Sequence, residues 1–281
     1  FIGGGFISFE FGHIAARAGS EVCIIDRGER PLKGFDPDLV EKLVARGKEV
    51  GVQLRRRTSL KSIKKDGTDF LVTVETDSET KDLRADLVVH GAGRVPAIDQ
   101  LDLAAANVEA GDKGVAVNAY LQSTSNPKIY AAGDAADTQG APLTPVAVFE
   151  GKVAASNMLM GNGTKPDYSG VPSAVFTVPE LARVGMLEEE AREAGHDIRV
   201  VENDTGDWYS NLRVGESCAA TKVIIDKDSD TILGAHLLGP EYGEIINFFG
   251  LAIRLGLTTS DLKKMVSVYP SVGSDLGSML S

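Results

Sequence analysis

Apolar positions along the chain fall into short runs broken by glycine. Phe1-Ile2 enters Gly3-Gly4-Gly5, and Ile7, Phe11, Ile14, Ala15 and Ala18 then follow a helical period that puts them on one face, up to Gly19. Val22-Cys23-Ile24-Ile25 is a continuous apolar run ending in Asp26, the mark of a buried parallel strand. A second helix is predicted over residues 36–51, with Leu39, Leu43, Val44 and Val50 apolar and Gly51 closing it, and a strand at 52–54. Phe70, Val72 and Val74 alternate with Leu71, Thr73 and Glu75. With residues 62–64 and the Asp66-Gly67 turn they predict a small antiparallel meander, after which residues 85–90 return to the parallel sheet. Ile129-Tyr130-Ala131-Ala132 reads as a short strand ending at Gly133-Asp134, and a helix is expected with Thr144 as N-cap and Pro145 in its first position. Beyond Tyr168 the texture changes. A helix at 187–194, strands at 218–226 and 231–238 turning at Asp228-Ser229-Asp230, and a helix at 241–255 that is apolar nearly all round predict an α+β domain with a buried helix.

Composition narrows the class. The 281 residues suffice for one to three domains, and 43% are hydrophobic, as in globular proteins. A net charge of −11 argues against a broad nucleic-acid face. Arg254 interrupts the longest C-terminal apolar run, and no leader is visible, so the chain is read as cytoplasmic. It opens on Phe1 inside an apolar run, which suggests a piece of a longer gene product. Cys23 and Cys218 are far apart and lie in apolar surroundings, so inert thiols are expected rather than a redox pair or zinc site. His13, His90, His196 and His236 lack metal-ligand spacing, and no metal is expected.

Candidate chemistry clusters at two glycine turns. Gly3 and Gly5 occupy the first two places of a G-x-G-x-x-G pattern, and Ser8 occupies the third. Small residues there let the backbone of Phe6, Ile7 and Ser8 approach a pyrophosphate, and the acid Asp26 some twenty residues on suits a ribose hydroxyl. Asp26 alone favours NAD. The adjoining Arg27, with Lys33, favours the 2′-phosphate of NADP, so both signals are present. At the second turn, Gly133 permits a close approach, and Asp134 stands where open α/β sheets bind polyhydroxylated ligands.

Together, the glycine turn with its acid and the segment T-S-N-P-K-I-Y-A-A-G-D resemble the FAD-dependent pyridine nucleotide-disulfide oxidoreductases, the family of glutathione reductase, dihydrolipoamide dehydrogenase and mercuric reductase. The resemblance spans almost the whole chain. It implies a Rossmann-like α/β nicotinamide-nucleotide domain at 1–95, the C-terminal part of a flavin domain at 96–167, and an α+β interface domain at 168–281 that forms a homodimer. It implies NAD(P)H and FAD as cofactors, and hydride passing from the one to the other and on to a disulfide or other acceptor. By the same resemblance Glu10 matches a glutamate that pairs with a lysine beside the flavin, and Phe6 a residue covering the nicotinamide pocket. Gly93 falls in the link between domains, where the neighbouring Arg94 reads as an exposed arginine. Gly133, Asp134, Leu143 and Thr144 match the second flavin-binding segment. The family's first flavin fingerprint and its cysteine pair are absent from this sequence. Where relatives carry a His-Pro base supported by a glutamate, this chain has Tyr269-Pro270 and Ser274. A phenol ionising near pH 10 is a poor base, so no catalytic residue is assigned. The chain is read as part of such an enzyme, inactive by itself, or alternatively as a non-catalytic nucleotide-binding and dimerisation module.

Overall fold

The computed structural model describes residues 1–281, which divide into two compact units. Phe1–Gly93 and Pro172–Ser281 make one, and Arg94–Val171 the other. The first and last of the three segments expected from sequence therefore share one unit.

In the N-terminal segment, α1 (Phe6–Arg17), β1 (Val22–Ile25), α2 (Pro37–Glu49) and β2 (Val52–Arg55) form a parallel α/β layer. Ile2 bridges in parallel to both Ile25 and His90, which extends the layer on the other side of β1. The return expected at 85–90 is thus a single bridge rather than a strand. The regular third strand of the meander lies earlier, with β3 (Ser59–Asp66), β4 (Asp69–Glu75) and β5 (Thr80–Ala85) antiparallel. Asp36 N-caps α2, its carboxyl oxygen accepting from the amides of Asp38 and Leu39. The apolar face expected for α1 is corrected. Ser8, Phe9, Gly12 and His13 face the core, whereas Phe11 and Ile14 are exposed. Gly12 explains the rotation: a Cβ there would touch Val22 and Ile24 at 3.4 Å, so the helix settles on β1 along its narrowest face.

The second unit contains β6 (Ala110–Gly111), β7 (Gly114–Ala116), β8 (Ala136–Asp137) and α3 (Thr144–Met160). Residues 129–132 do not form the expected strand. Tyr130 makes one bridge to Gln122, and Gly133–Ala135 is a 3-10 turn. The N-cap of α3 is Leu143, not Thr144, and no side chain caps it.

The C-terminal segment builds a five-stranded antiparallel sheet from β9 (Ser173–Val175), β10 (Glu180–Gly185), β11 (Ile198–Asp204), β12 (Ala220–Asp226) and β13 (Ile232–Gly239), in the order β11-β12-β13-β10-β9. It also carries α4 (Glu188–Glu193), α5 (Tyr209–Leu212), α6 (Tyr242–Leu255), α7 (Thr259–Leu262) and α8 (Leu276–Met279). Both faces of the sheet are covered. Val184, Val223, Ile225, Ala235 and Leu237 pack on Ile245, Phe249 and Ala252 of α6. Val175, Leu181, Ala220 and Leu238 share a core with Leu32, Leu39, Val40 and Leu43 of the N-terminal segment. Double coverage is why β12 is buried along its length, Thr221 and Lys222 included, instead of alternating. No helix is long and apolar enough to cross a membrane.

Candidate dinucleotide site

The three glycines of the first turn differ in what they are for. Gly3 has φ +100°, and a Cβ there would lie 2.7 Å from the Ala92 Cα, so the fold itself requires glycine. At Gly4 a Cβ would strike the Asp26 carboxyl, 2.5 Å from Oδ2, which places that acid directly over the turn. Gly5 has an ordinary extended conformation, and a Cβ there would meet only the Gly91 carbonyl at 3.7 Å. Nothing in the protein forbids a side chain at Gly5; the space it leaves open is room for a ligand. Into that space points the N-terminus of the 12-residue α1, with no side chain capping it. Free amides of the first turn and the helix dipole make such an end an anion site. Phe6 is exposed, Ile7 half-buried, and the Ser8 side chain fully buried against Gly91 without a hydrogen bond. Ser8 therefore packs the helix and presents no hydroxyl to a ligand.

Around the turn, Arg27 and Lys33 are exposed. The ammonium of Lys33 and the carboxyl of Asp26 flank one spot above Gly28, 3.7 and 3.3 Å from where its Cβ would stand. The structure thus sets Asp26 over the glycine turn at Gly4 and beside Lys33 at Gly28. Glu10 points elsewhere: it accepts a hydrogen bond from the Phe176 amide at 2.9 Å, holding the loop after β9. Gly93 has φ +108° and open space around it.

The second turn is built by residues that sequence reasoning passed over. Gly133 has φ +65°, and a Cβ there would lie 2.8 Å from the Ala147 Cβ, so α3 approaches too closely for any side chain. Glu150, fully buried on α3, accepts from the Gly133 amide at 2.6 Å, from Thr138 Oγ1 at 2.8 Å and from the Tyr168 hydroxyl at 2.6 Å. Burial, and then the hydrogen bond to Glu150, push the Tyr168 phenol up to about 12. Asp134 is exposed and pairs with Arg94 at 3.1 Å, and Arg94 also donates to the Pro142 carbonyl at 2.8 Å. Arg94 is thus exposed, as expected, and engaged by these two contacts. Leu143 and Thr144 lie at the uncapped start of α3. A mid-helix glutamate such as Glu150 gives no warning in sequence that it will be buried.

Other titratable groups lie outside the two glycine turns. His13 and His236 are buried, which lowers both to about 4. Burial, followed by the nearby Glu216, pushes the Cys218 thiol up to about 11, and both cysteines are free. Tyr269 is exposed, and Ser274 bonds within its own turn to Ser271.

Residues 1–151 match the pyridine nucleotide-disulphide oxidoreductase family, and residues 171–279 match the dimerisation domain of that family. An uncharacterised 19.7 kDa protein in the mercuric resistance operon of Staphylococcus aureus is 52% identical over 180 residues, 64% of this chain and 100% of that one. The mercuric reductase of Bacillus cereus is 33% identical over 98% of this chain, which spans 43% of the reductase. Among solved structures, the copper(II) complex of the HOCl-induced flavoprotein disulfide reductase RclA of Escherichia coli superposes with a TM-score of 0.89 at 28% identity, covering 99% of this chain and 62% of that one. With both halves of the chain matched, the chain belongs to the pyridine nucleotide-disulphide oxidoreductase family.

Proposed function

We propose that the chain holds a nicotinamide nucleotide at the Gly3–Ser8 turn and serves a flavoprotein oxidoreductase that passes hydride from NADPH or NADH to FAD and on to an acceptor. The observation that carries this reading is the open space over Gly5 at the uncapped start of α1, with Asp26 beside it. The first-turn amides of α1 bind the pyrophosphate, and Asp26 accepts from a ribose hydroxyl. Lys33 and Arg27 offer cations to a 2′-phosphate. Bound there, the reduced nicotinamide supplies hydride. In the second unit, Asp134 and the start of α3 are the residues suited to a flavin's ribityl chain and phosphate. Assembly as a homodimer fits the stripe of Phe248, Leu251 and Leu255 left exposed on α6, spaced so that all three share one face.

A second reading is favoured by the thiols. Cys218 is held protonated far above neutrality and Cys23 has no partner thiol, so this chain's own residues do no disulfide chemistry. It then binds nucleotide and dimerises only. A fluorescence titration of NADPH and of NADH with the purified chain tests what both readings share. Saturable binding of at least one is expected; no binding of either at millimolar concentration rejects both.

A further inference from the structure

The loop between Asp26 and α2 carries Arg27 and Lys33, and its shape is not set by its own sequence alone. At one end Leu32 is buried with φ +46°, a left-handed conformation unfavourable for leucine, and its amide donates to the Gly4 carbonyl at 2.9 Å. At the other end the loop is gripped by the five-stranded sheet. Register places Glu202 of β11 opposite Lys222 of β12, Lys222 opposite His236 of β13, and His236 opposite Arg183 of β10, so these four form one row across four strands. The two cations of the row reach the loop. Arg183 donates through Nη1 to the Gly34 carbonyl, next to Lys33, and through Nη2 to the Gly185 carbonyl at 2.7 Å. Lys222, almost wholly buried, pairs with Asp36 at 3.1 Å and with Asp38, the N-cap and first turn of α2. His236 between them gives its Nε2 proton to the Met186 carbonyl at 2.9 Å, and its low proton affinity keeps a third positive charge out of the row. Arg30 closes the loop by donating to the Lys33 carbonyl at 3.1 Å.

We propose that Arg183 and Lys222, residues of the dimerisation sheet, are positioning residues for nucleotide choice: they hold the loop so that Lys33 stands beside Asp26 to receive a 2′-phosphate. This rests on the nucleotide reading above. The backbone of Lys33 is fixed from three directions, by Arg30, by Arg183 through Gly34 and by Lys222 through Asp36. Its ammonium is thereby kept near the ribose acid instead of roaming in solvent. A cation placed in advance costs less entropy to engage a phosphate than a mobile one.

Arg183→Met removes the grip while keeping the side chain's length. Kd values for NADPH and NADH are measured for parent and variant, with limited trypsin digestion after Lys33 as a readout that needs no nucleotide. Preference for NADPH over NADH is expected to fall about fivefold, the scale of one exposed charge contact, with NADH affinity unchanged within about twofold. Cleavage after Lys33 is expected to accelerate, and Arg183→Lys to restore part of both. Equal weakening of the two nucleotides, or an unchanged preference in a parent that binds, overturns the inference alone. A parent that binds neither overturns the nucleotide reading and the inference with it. Unchanged cleavage in Arg183→Met shows that the loop is not held from the sheet. Lys222→Met provides the second variant, with the same expected direction and the same overturning results.

Discussion

Removal of Glu150 is the sharpest perturbation of the second turn. Its two carboxyl oxygens take three donors: the Gly133 amide, the Thr138 hydroxyl and the Tyr168 hydroxyl. Glu150→Ala leaves all three without a partner in a buried place, and each orphaned donor costs about 1–3 kcal/mol. Tyr168 and Thr138 are half-buried and can turn toward water, so they fall at the low end; the Gly133 amide cannot turn. A total near 3–5 kcal/mol is expected, against about 1–2 for Glu150→Gln, whose carbonyl still serves Gly133 while its amide faces the hydroxyls. Amide hydrogen exchange of the segment around Gly133 reads this locally. A loss of 3 kcal/mol corresponds to more than about 100-fold faster exchange in Glu150→Ala, with Glu150→Gln between it and the parent. Ultraviolet titration of tyrosine supplies an independent reading. The Tyr168 phenol, at about 12 in the parent, is expected to fall in Glu150→Gln while the share due to burial remains. Unchanged protection at Gly133 in Glu150→Ala would show that the turn is held by something other than this carboxyl.

Acid should unfold the chain earlier than its carboxylates alone require. His13 and His236 drop from 6.5 to about 4 on folding, so the unfolded state binds more protons between those values. Stability is complete above pH 6.5 and declines toward pH 4, by about 2 kcal/mol per histidine at pH 5. A urea midpoint identical at pH 7 and pH 5 refutes this. The lowered Asp261, at about 2 through its bonds to Lys264 and Thr258, extends the loss below pH 3.8. On α6, Leu251→Arg is expected to turn a species of twice the chain mass into a monomer by light scattering, whereas Phe249, fully buried against the sheet, yields unfolding when charged. An unchanged mass in Leu251→Arg removes the exposed stripe from the interface.

Elements with strong local signals were legible in the sequence. Gly3, Gly5 and Asp26 announced a turn, helix and strand, and the structure has these in that order, while the strand expected before the turn is reduced to the bridges of Ile2. The β12–β13 pair and α6 followed from their apolar runs. What was not legible depended on partners distant in sequence. The face of α1 was misjudged because periodicity cannot tell that Gly12 lets the helix sink onto Val22 and Ile24, leaving Phe11 and Ile14 outside. The strand expected at 129–132 is reduced to one antiparallel bridge with residues 121–123, where Ser123 donates to Ile129 and Ala131 to Leu121. Thr144 has the right chemistry for an N-cap, yet the helix starts at it, since Leu143 is already in the extended conformation of the cap. Glu150 and Lys222 look like solvated charges in sequence. Each became buried because donors or carboxylates from remote segments converge on it.

The central claim is that the space over Gly5 belongs to a nucleotide, and Gly5→Val tests it directly by calorimetry. A Cβ at Gly5 meets no protein atom closer than 3.7 Å, so the variant should melt with the parent. The account predicts one nucleotide per chain for the parent and no measurable heat for Gly5→Val. A parent that gives no heat with either NADPH or NADH, or a Gly5→Val variant that binds as tightly as the parent, contradicts it.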